Sequence, residues 1–378
     1  MTNKGPIKRK IAIDAVCLTG FSGGFNRYVK QLLDGLAVQR KMAMDFFLLI
    51  NSRAETPTTL HSEGFRLIKV YTPSRLQYYW TQIYLPLGRI AKQFDVWHSP
   101  ISVPPLWLHT KTIITVHDLA FERFPEAYSA AALVYWKTFL PKALKKAVSV
   151  IAVSENTKRD IIDFYNISEK KITVIYPSIT LPTTKYENFQ EIRRLYKLPE
   201  KYILYVGAIQ PRKNLPTLVK AFRIAKKRMK FPHKLVIVGP RGWGLEDLCR
   251  TVEQLNLQQE VIITGVVPEE HLPLIYKGAD IFVYPSLYEG FGYPPLEAMA
   301  CGTPVIASNA SSLPEVVGEA AVLVDPTSEE LIAEKMIELL TSGDLMERLR
   351  IKGFENIKRF SMERMITNIL DVYTAVCY

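Results

Sequence analysis

Short apolar runs recur along the chain, each followed by a stretch long enough for a helix: KIAIDAV, MDFFLLI, FRLIKVY, TIITVH and SVIAV, then YILYVG, KLVIVG, VIITG, DIFVYP, TPVIAS and AAVLV. The runs are nearly continuous in apolar residues rather than alternating. That predicts parallel strands covered by helices on both faces, an α/β doubly wound architecture built twice. The join is predicted in ITLPTTKYEN, residues 179–188, where polar residues and Pro182 mark an exposed linker. The domains expected are 1–180 and 189–360, followed by a last helix within 361–378.

Composition agrees with this division. A chain of 378 residues exceeds what one hydrophobic core usually serves, and 48% hydrophobic with 22% charged residues is ordinary for a globular protein. Cys17, Cys249, Cys301 and Cys377 are far apart, form no CxxC pair and meet no histidine at ligand spacing. Neither a disulfide framework nor a zinc site is predicted, and a reducing cytoplasm fits. The opening MTNKGPIKRKIAIDAVCLTGF begins like a signal peptide, but Asp14 interrupts its apolar run and no A-x-A-like site follows, so it reads as the first strand. No apolar segment reaches the roughly 18 residues that a spanning helix requires. Charge adds something new: residues 1–180 hold 24 lysines and arginines against 13 aspartates and glutamates, while residues 181–378 hold 24 of each. A one-sided basic field implies an anionic partner, which nucleic acid, a membrane surface or a phosphate-bearing acceptor would each satisfy.

The chemistry concentrates in EGFGYPPLEAMACG. Residues 280–285 are predicted as a strand, 286–293 as its exit loop, and Pro294 as part of the first helical turn, where a missing N–H costs nothing. The carboxyl edge of a parallel strand is where open α/β sheets bind ligands, and a helix start offers free N–H groups to an anion. Gly290 and Gly292 are expected to take positive φ and let backbone approach a phosphate or sugar. Glu297, one turn into the helix, suits a ribose diol beside a diphosphate, and Glu289 would point at whatever lies beyond the phosphates. Taken singly, Glu297 would only compensate the helix dipole and Glu289 would be a solvated loop charge.

The whole string YEGFGYPPLEAMACGTPVIAS (Tyr288–Ser308) resembles the signature of the family 4 glycosyltransferases, in which two glutamates separated by seven residues precede an AMA-G-PVIAS segment. The resemblance implies a retaining enzyme of the GT-B fold: two doubly wound Rossmann-like domains facing a central cleft, with the acceptor in 1–180 and the nucleotide sugar in 189–360. The last helix, SMERMITNILDVYTAV, is expected to cross back to the first domain as in similar proteins. In YVGAIQPRKNLPTLVKAF, Gly207 ends a strand, and Arg212 and Lys213 precede a helix, where paired cations would hold the diphosphate as the glycosidic bond breaks. Many members carry an arginine where Ala208 stands, which makes Lys213 the firmer assignment. His117, in TIITVHDLAFERFPEAYS, matches a histidine that hydrogen-bonds the donor sugar. Gly23 and Gly24, in GFSGGFNRYVKQLL, match a turn touching donor phosphates or acceptor. His98 in VWHSP and Ser154 in AVSENTKRDI match acceptor-side segments, although Ser154 also reads as a plain helix cap. Val266 and Val267 in TGVVPEEHLPLIY match the nucleobase loop. The catalytic residues implied are thus His117, Glu289, Lys213 and Arg212, and Gly290, Phe291 and Gly292 join Glu297 on the donor. No D-x-D pair occurs, so no metal–diphosphate site and no cofactor beyond the nucleoside-diphosphate sugar are expected.

The function implied is transfer of a hexose, mannose from GDP-mannose first, to a hydroxyl of a lipid-linked or oligosaccharide acceptor in surface polysaccharide or lipopolysaccharide assembly. A UDP- or dTDP-sugar donor is the runner-up, followed by a sugar-nucleotide epimerase. A basic nucleic-acid-binding protein is the alternative of a different class, but its stacking aromatics would sit on a sheet or groove, whereas here they fall in helical stretches. Two such stretches, YSAAALVYWKTFLPKALKKAV and RLQYYWTQIYLPLGRIAK, interleave aromatics with Lys137, Lys142, Lys145 and Lys146 or their like. Either they pack their aromatics inward and leave lysines in water, or they bring the first domain to the inner face of the cytoplasmic membrane as a peripheral enzyme.

Overall fold

The computed structural model describes residues 8–16, 24–39, 44–52, 65–71, 82, 92–101, 103–181 and 189–378. Gly23 and nearly all of RLQYYWTQIYLPLGRIAK lie outside these residues. The chain divides into two compact units, one of residues 1–178 with 362–378, the other of residues 179–361.

The first unit is a parallel sheet of β1 (Arg9–Ala15), β2 (Met44–Asn51), β3 (Phe65–Val70), β4 (Val96–Ser99), β5 (Lys111–Val116), β6 (Ser149–Ala152) and β7 (Ile172–Val174), in the order β3-β2-β1-β4-β5-β6-β7. The second holds β8 (Tyr202–Val206), β9 (Lys234–Val238), β10 (Val261–Gly265), β11 (Ile281–Tyr284), β12 (Val305–Ser308) and β13 (Ala321–Val324), in the order β10-β9-β8-β11-β12-β13, again parallel. Both are Rossmann-like: the chain winds outward on one side of its first strand, then returns to wind outward on the other. Ile203 of β8 pairs with Leu235 of β9 on one flank and with Ile281 of β11 on the other. The reversal falls between β8 and β11, and between β1 and β4 in the first unit. The carboxyl ends of strands at such a reversal are where open α/β sheets bind ligands.

Each apolar run named from the sequence forms a strand, and two short strands join them. β4, four residues long, falls in VWHSP, and β7, three residues long, lies ahead of the linker. β4 is wholly buried between β1 and β5, so Trp97 and His98 lie in the sheet interior.

The last helix, Met362–Cys377, packs within the first unit. A Cβ at Gly35, in the helix Gly24–Val38, would collide with the Ile366 side chain, so glycine is what lets these two helices approach. The Tyr373 hydroxyl lies 2.7 Å from His98 Nδ1, and Lys111 Nζ donates to the Val376 carbonyl at 2.7 Å.

The helix Ala130–Lys146 shows where the aromatics of YSAAALVYWKTFLPKALKKAV go. Tyr135 is buried, Trp136 stacks on Phe121 with ring centroids 5.9 Å apart, and Phe139 stacks on Tyr135 at 5.1 Å. Lys137 pairs with Glu122 at 3.0 Å, and Lys146 donates to the carbonyls of Leu106 and Leu108. The aromatics therefore belong to the core, and Lys142 and Lys145 stand exposed. Among the described residues no helix is long and apolar enough to cross a membrane.

Candidate active site

In the second unit, the loops leaving β8 and β11 meet beside the reversal point. After Gly207, whose amide donates to the Val238 carbonyl at 2.8 Å, the chain makes a 3-10 turn over Pro211–Lys213. Asn214 ends that turn in the left-handed region, at φ 61°, a conformation asparagine tolerates better than most residues. Its amide donates to Pro285 O at 3.2 Å and Pro326 O at 2.6 Å, tying together the exits of β8, β11 and β13. The Leu287 amide donates to Arg212 O at 2.8 Å. The turn carrying the cations is thus built into the loop carrying Glu289.

Glu289 is 6% exposed and Lys213 also 6%. Arg212 donates from one guanidinium nitrogen to Tyr288 O at 2.8 Å and to Glu289 Oε2 at 2.9 Å. The Lys213 ammonium pairs with Glu289 Oε1 and donates to the Tyr284 hydroxyl at 2.9 Å, which donates in turn to Oε1 at 2.8 Å. Burial alone would raise the Glu289 carboxyl, but the ammonium and guanidinium outweigh it and hold it down at about 2. Glu289 is therefore an anion at any working pH. It is not the solvated loop charge that Glu289 would be if taken singly, because the loop folds over its own glutamate.

The backbone of Glu289 is fixed as well. Its amide donates to Ser311 Oγ at 2.9 Å, and the Ser312 hydroxyl lies 2.9 Å from Glu289 O and 2.8 Å from Phe291 O. Ser311 has φ 53°, a left-handed conformation that costs a residue with Cβ about 1–3 kcal/mol and persists only where the surroundings impose it.

Of the glycines expected at positive φ, only Gly292 has it, at 108°, where it caps the helix Tyr293–Ala300 and where a Cβ would come within 2.7 Å of Leu313. Gly290 is not in that region, so its backbone needs no glycine on conformational grounds. Phe291, read as a donor contact, is 5% exposed and packs edge-on against Phe360 and Tyr293 at 5.4 and 5.3 Å; it is a core residue under the loop. Glu297 is buried one turn into the helix and accepts from the Tyr276 hydroxyl at 2.6 Å. Of the nucleobase pair, Val266 is 73% exposed, whereas Val267 is buried.

In the first unit, His117 follows β5, with Nε2 donating to Pro100 O at 2.7 Å and its ring edge-on to Phe25 and Tyr28 at 4.9 and 4.8 Å. Burial lowers its pKa to about 4 against the opposing pull of the Pro100 carbonyl and Asp118, so the imidazole is neutral near pH 7 and keeps Nδ1 as an acceptor. Gly24 begins its helix and is exposed. The two residues matched to acceptor-side segments are both buried. His98 is fully buried, with Nδ1 on Tyr373 and Nε2 2.8 Å from the Thr115 hydroxyl, and burial depresses its pKa to about 3. Ser154 is fully buried and caps the helix Glu155–Tyr165 by accepting from the Thr157 amide at 3.0 Å. The polar side-chain atoms of both have partners inside the first unit.

Tyr284, Asn214, Ser311 and Ser312 escaped sequence reasoning. An asparagine straight after a basic pair and a serine pair before LPEVV are the cap and turn signals that mark two of these places. Among the described residues no group of three His, Cys, Asp or Glu side chains is placed to hold a metal ion.

Comparisons with known proteins cover both halves. The family model described as "Glycosyltransferase Family 4" matches residues 22–181, and that described as "Glycosyl transferases group 1" matches residues 188–356. The O-antigen chain mannosyltransferase B of Escherichia coli is 32% identical over 281 residues, 74% of either chain. The O-antigen chain mannosyltransferase RfbU of Salmonella typhimurium is 35% identical over 57% of each. The serotype-specific mannosyltransferase WbdA of Escherichia coli is 28% identical, and the chain spans only 34% of its length. Among solved structures, sucrose-phosphate synthase from Thermosynechococcus elongatus superposes with a TM-score of 0.75 at 23% identity, covering 98% of this chain and 99% of that one. WaaG, a glycosyltransferase of lipopolysaccharide biosynthesis, gives 0.72 at 16% identity over 96% and 99%. These two likenesses concern the fold, that of GT-B glycosyltransferases. With both halves matched by family models and a relative above 30% identity covered over most of its length, the chain belongs to glycosyltransferase family 4 and is a hexosyltransferase.

Proposed function

We propose that the chain transfers mannose from GDP-mannose, with retention at the anomeric carbon, to a hydroxyl of a lipid-linked or oligosaccharide acceptor in surface polysaccharide assembly. The observation that carries this reading is the buried Arg212–Lys213–Glu289 cluster at the reversal point of the second sheet, preceding a helix start and Glu297. The choice of mannose is supported by the relatives named as O-antigen mannosyltransferases. Arg212 and Lys213 hold the donor's diphosphate, and Glu297 accepts from its ribose diol. Glu289 orients the sugar hydroxyls. As the bond from the anomeric carbon to the phosphate oxygen breaks, the acceptor oxygen bonds to that carbon on the same face. The leaving diphosphate takes the acceptor's proton, while the two cations stabilise its growing charge. Hydrolysis or transfer assayed over GDP-, UDP- and dTDP-sugars tests the donor: GDP-mannose is expected to be turned over fastest, and a clear preference for a UDP- or dTDP-sugar overturns the choice.

The enzyme is proposed to work as a peripheral protein on the inner face of the cytoplasmic membrane, supported by the positive excess of residues 1–180 and by the exposed Lys142 and Lys145. Lys137 and Lys146 are exposed too but already have partners in Glu122 and the carbonyls of Leu106 and Leu108, so this attraction is modest, at about 1 kcal/mol for each cation near the surface. Sedimentation with liposomes is expected to require anionic lipid and to fade with salt; binding indifferent to both, or none, leaves an enzyme acting away from the bilayer.

A further inference from the structure

We propose that Glu289 acts as an internal competitor of the diphosphate, and so tilts the site toward the sugar-bearing donor and against the bare nucleoside diphosphate. The proposal rests on the reading of Arg212 and Lys213 as the diphosphate cations and adds a consequence of how they are held. Without donor, both carboxylate oxygens of Glu289 are engaged, Oε1 by Lys213 and by Tyr284 at 2.8 Å, Oε2 by Arg212 at 2.9 Å. The cations are satisfied before a ligand arrives. Ser311 and Ser312 hold the Glu289 backbone, and the carboxylate, itself buried with both oxygens bonded, has little room to retreat through its side-chain torsions. It does not protonate out of the way either, since the same two cations keep its pKa near 2. A diphosphate drawn to Arg212 and Lys213 therefore comes up against a fixed negative charge.

What that repulsion does depends on the ligand. A donor brings sugar hydroxyls, which donate to a carboxylate more strongly than to a neutral amide. A bare diphosphate brings no such donors and meets the repulsion unrelieved. The same carboxylate thus weakens product more than donor, which favours release after transfer and keeps free nucleotide or pyrophosphate from occupying the site.

Calorimetric titration of inorganic pyrophosphate, GDP and GDP-mannose into wild type, Glu289→Gln and Tyr284→Phe tests this. Glu289→Gln keeps the shape and removes the charge. It is expected to bind pyrophosphate and GDP tighter by on the order of tenfold, the scale of one like-charge repulsion at several ångströms in a partly buried site. GDP-mannose is expected to gain less, and turnover to fall. Tyr284→Phe disturbs the same cluster with every charge in place and is expected to leave pyrophosphate affinity unchanged. If Glu289→Gln is unstable without ligand, the same effect reads as a larger GDP-dependent rise in Tm than in wild type. Pyrophosphate and GDP binding no tighter to Glu289→Gln, or equally tightened by Tyr284→Phe, overturns the proposal while the donor site stands. A wild type that binds neither pyrophosphate nor any nucleoside diphosphate removes the reading of the cations, and this inference with it.

Discussion

Lys213→Ala is expected to lower kcat by about 10²–10³-fold, the range measured when one fixed electrostatic donor is removed from a developing oxyanion, with a much smaller loss of donor affinity. The ammonium is held in place before the donor binds, between Glu289 and the Tyr284 hydroxyl at 2.9 Å, over the Tyr284 ring at 5.3 Å. Such a charge needs no rearrangement when the glycosidic bond breaks. In the ground state the diphosphate shares Lys213 with Glu289, so part of its attraction is already spent. In the transition state, charge flows onto the leaving oxygen and the same ammonium is worth more, which is the condition for an effect on kcat rather than on binding. Arg212 still holds Glu289 at 2.9 Å in the variant, so the carboxylate keeps a partner and the loop keeps its shape. Steady-state kinetics with a separate titration of GDP divides the two effects. A rise in KM with kcat unchanged would show Lys213 to be a binding group only.

How much of this was legible beforehand varies with the length of the signal. The eleven apolar runs each became a strand, most of them because a strand covered on both faces must be apolar along its length; β3, at the sheet edge, keeps Arg66 and Lys69 exposed. β4 did not look like one: Val96–Ser99 is four residues with a tryptophan, a histidine and a serine. It is a strand because β1 and β5 pair with it on either side, and because His98 finds Tyr373 some 275 residues away to satisfy a ring nitrogen. A tertiary partner at that separation has no local trace. Ser154 is the opposite case, because the Thr157 amide it accepts from is three residues away and the cap is legible locally.

In the site, the residue types were readable and their mutual use was not. Arg212, Lys213 and Glu289 stood out as charged residues beside glycines and helix starts. Their pairing across 76 or 77 residues depends on the strand order that sets β8 beside β11. Ser311 is the clearest miss. Its φ of 53° is a position for glycine, yet a glycine there would have no hydroxyl for the Glu289 amide. The strain and the hydrogen bond are visible only together, in the folded chain.

Glu297→Ala is expected to weaken GDP by about 1.5–3 kcal/mol, one to two orders of magnitude, the value of hydrogen bonds to a charged acceptor. Burial complicates this expectation, because Glu297 also accepts from Tyr276 at 2.6 Å, and truncation leaves that buried hydroxyl without its carboxylate. A loss of affinity alone would not separate a ribose contact from a loosened helix. Tyr276→Phe breaks the same bond and keeps the carboxylate, so the two roles part: it is expected to lower Tm while leaving GDP affinity close to wild type. The ligand can be altered as well as the protein. If Glu297 accepts from the ribose diol, 2′-deoxy-GDP binds wild type more weakly than GDP, and the alanine variant no longer tells the two nucleotides apart, since the hydroxyl and the carboxylate then count as one interaction. An alanine variant that discriminates against 2′-deoxy-GDP as strongly as wild type does would assign Glu297 to the support of its own helix and leave the ribose to another group.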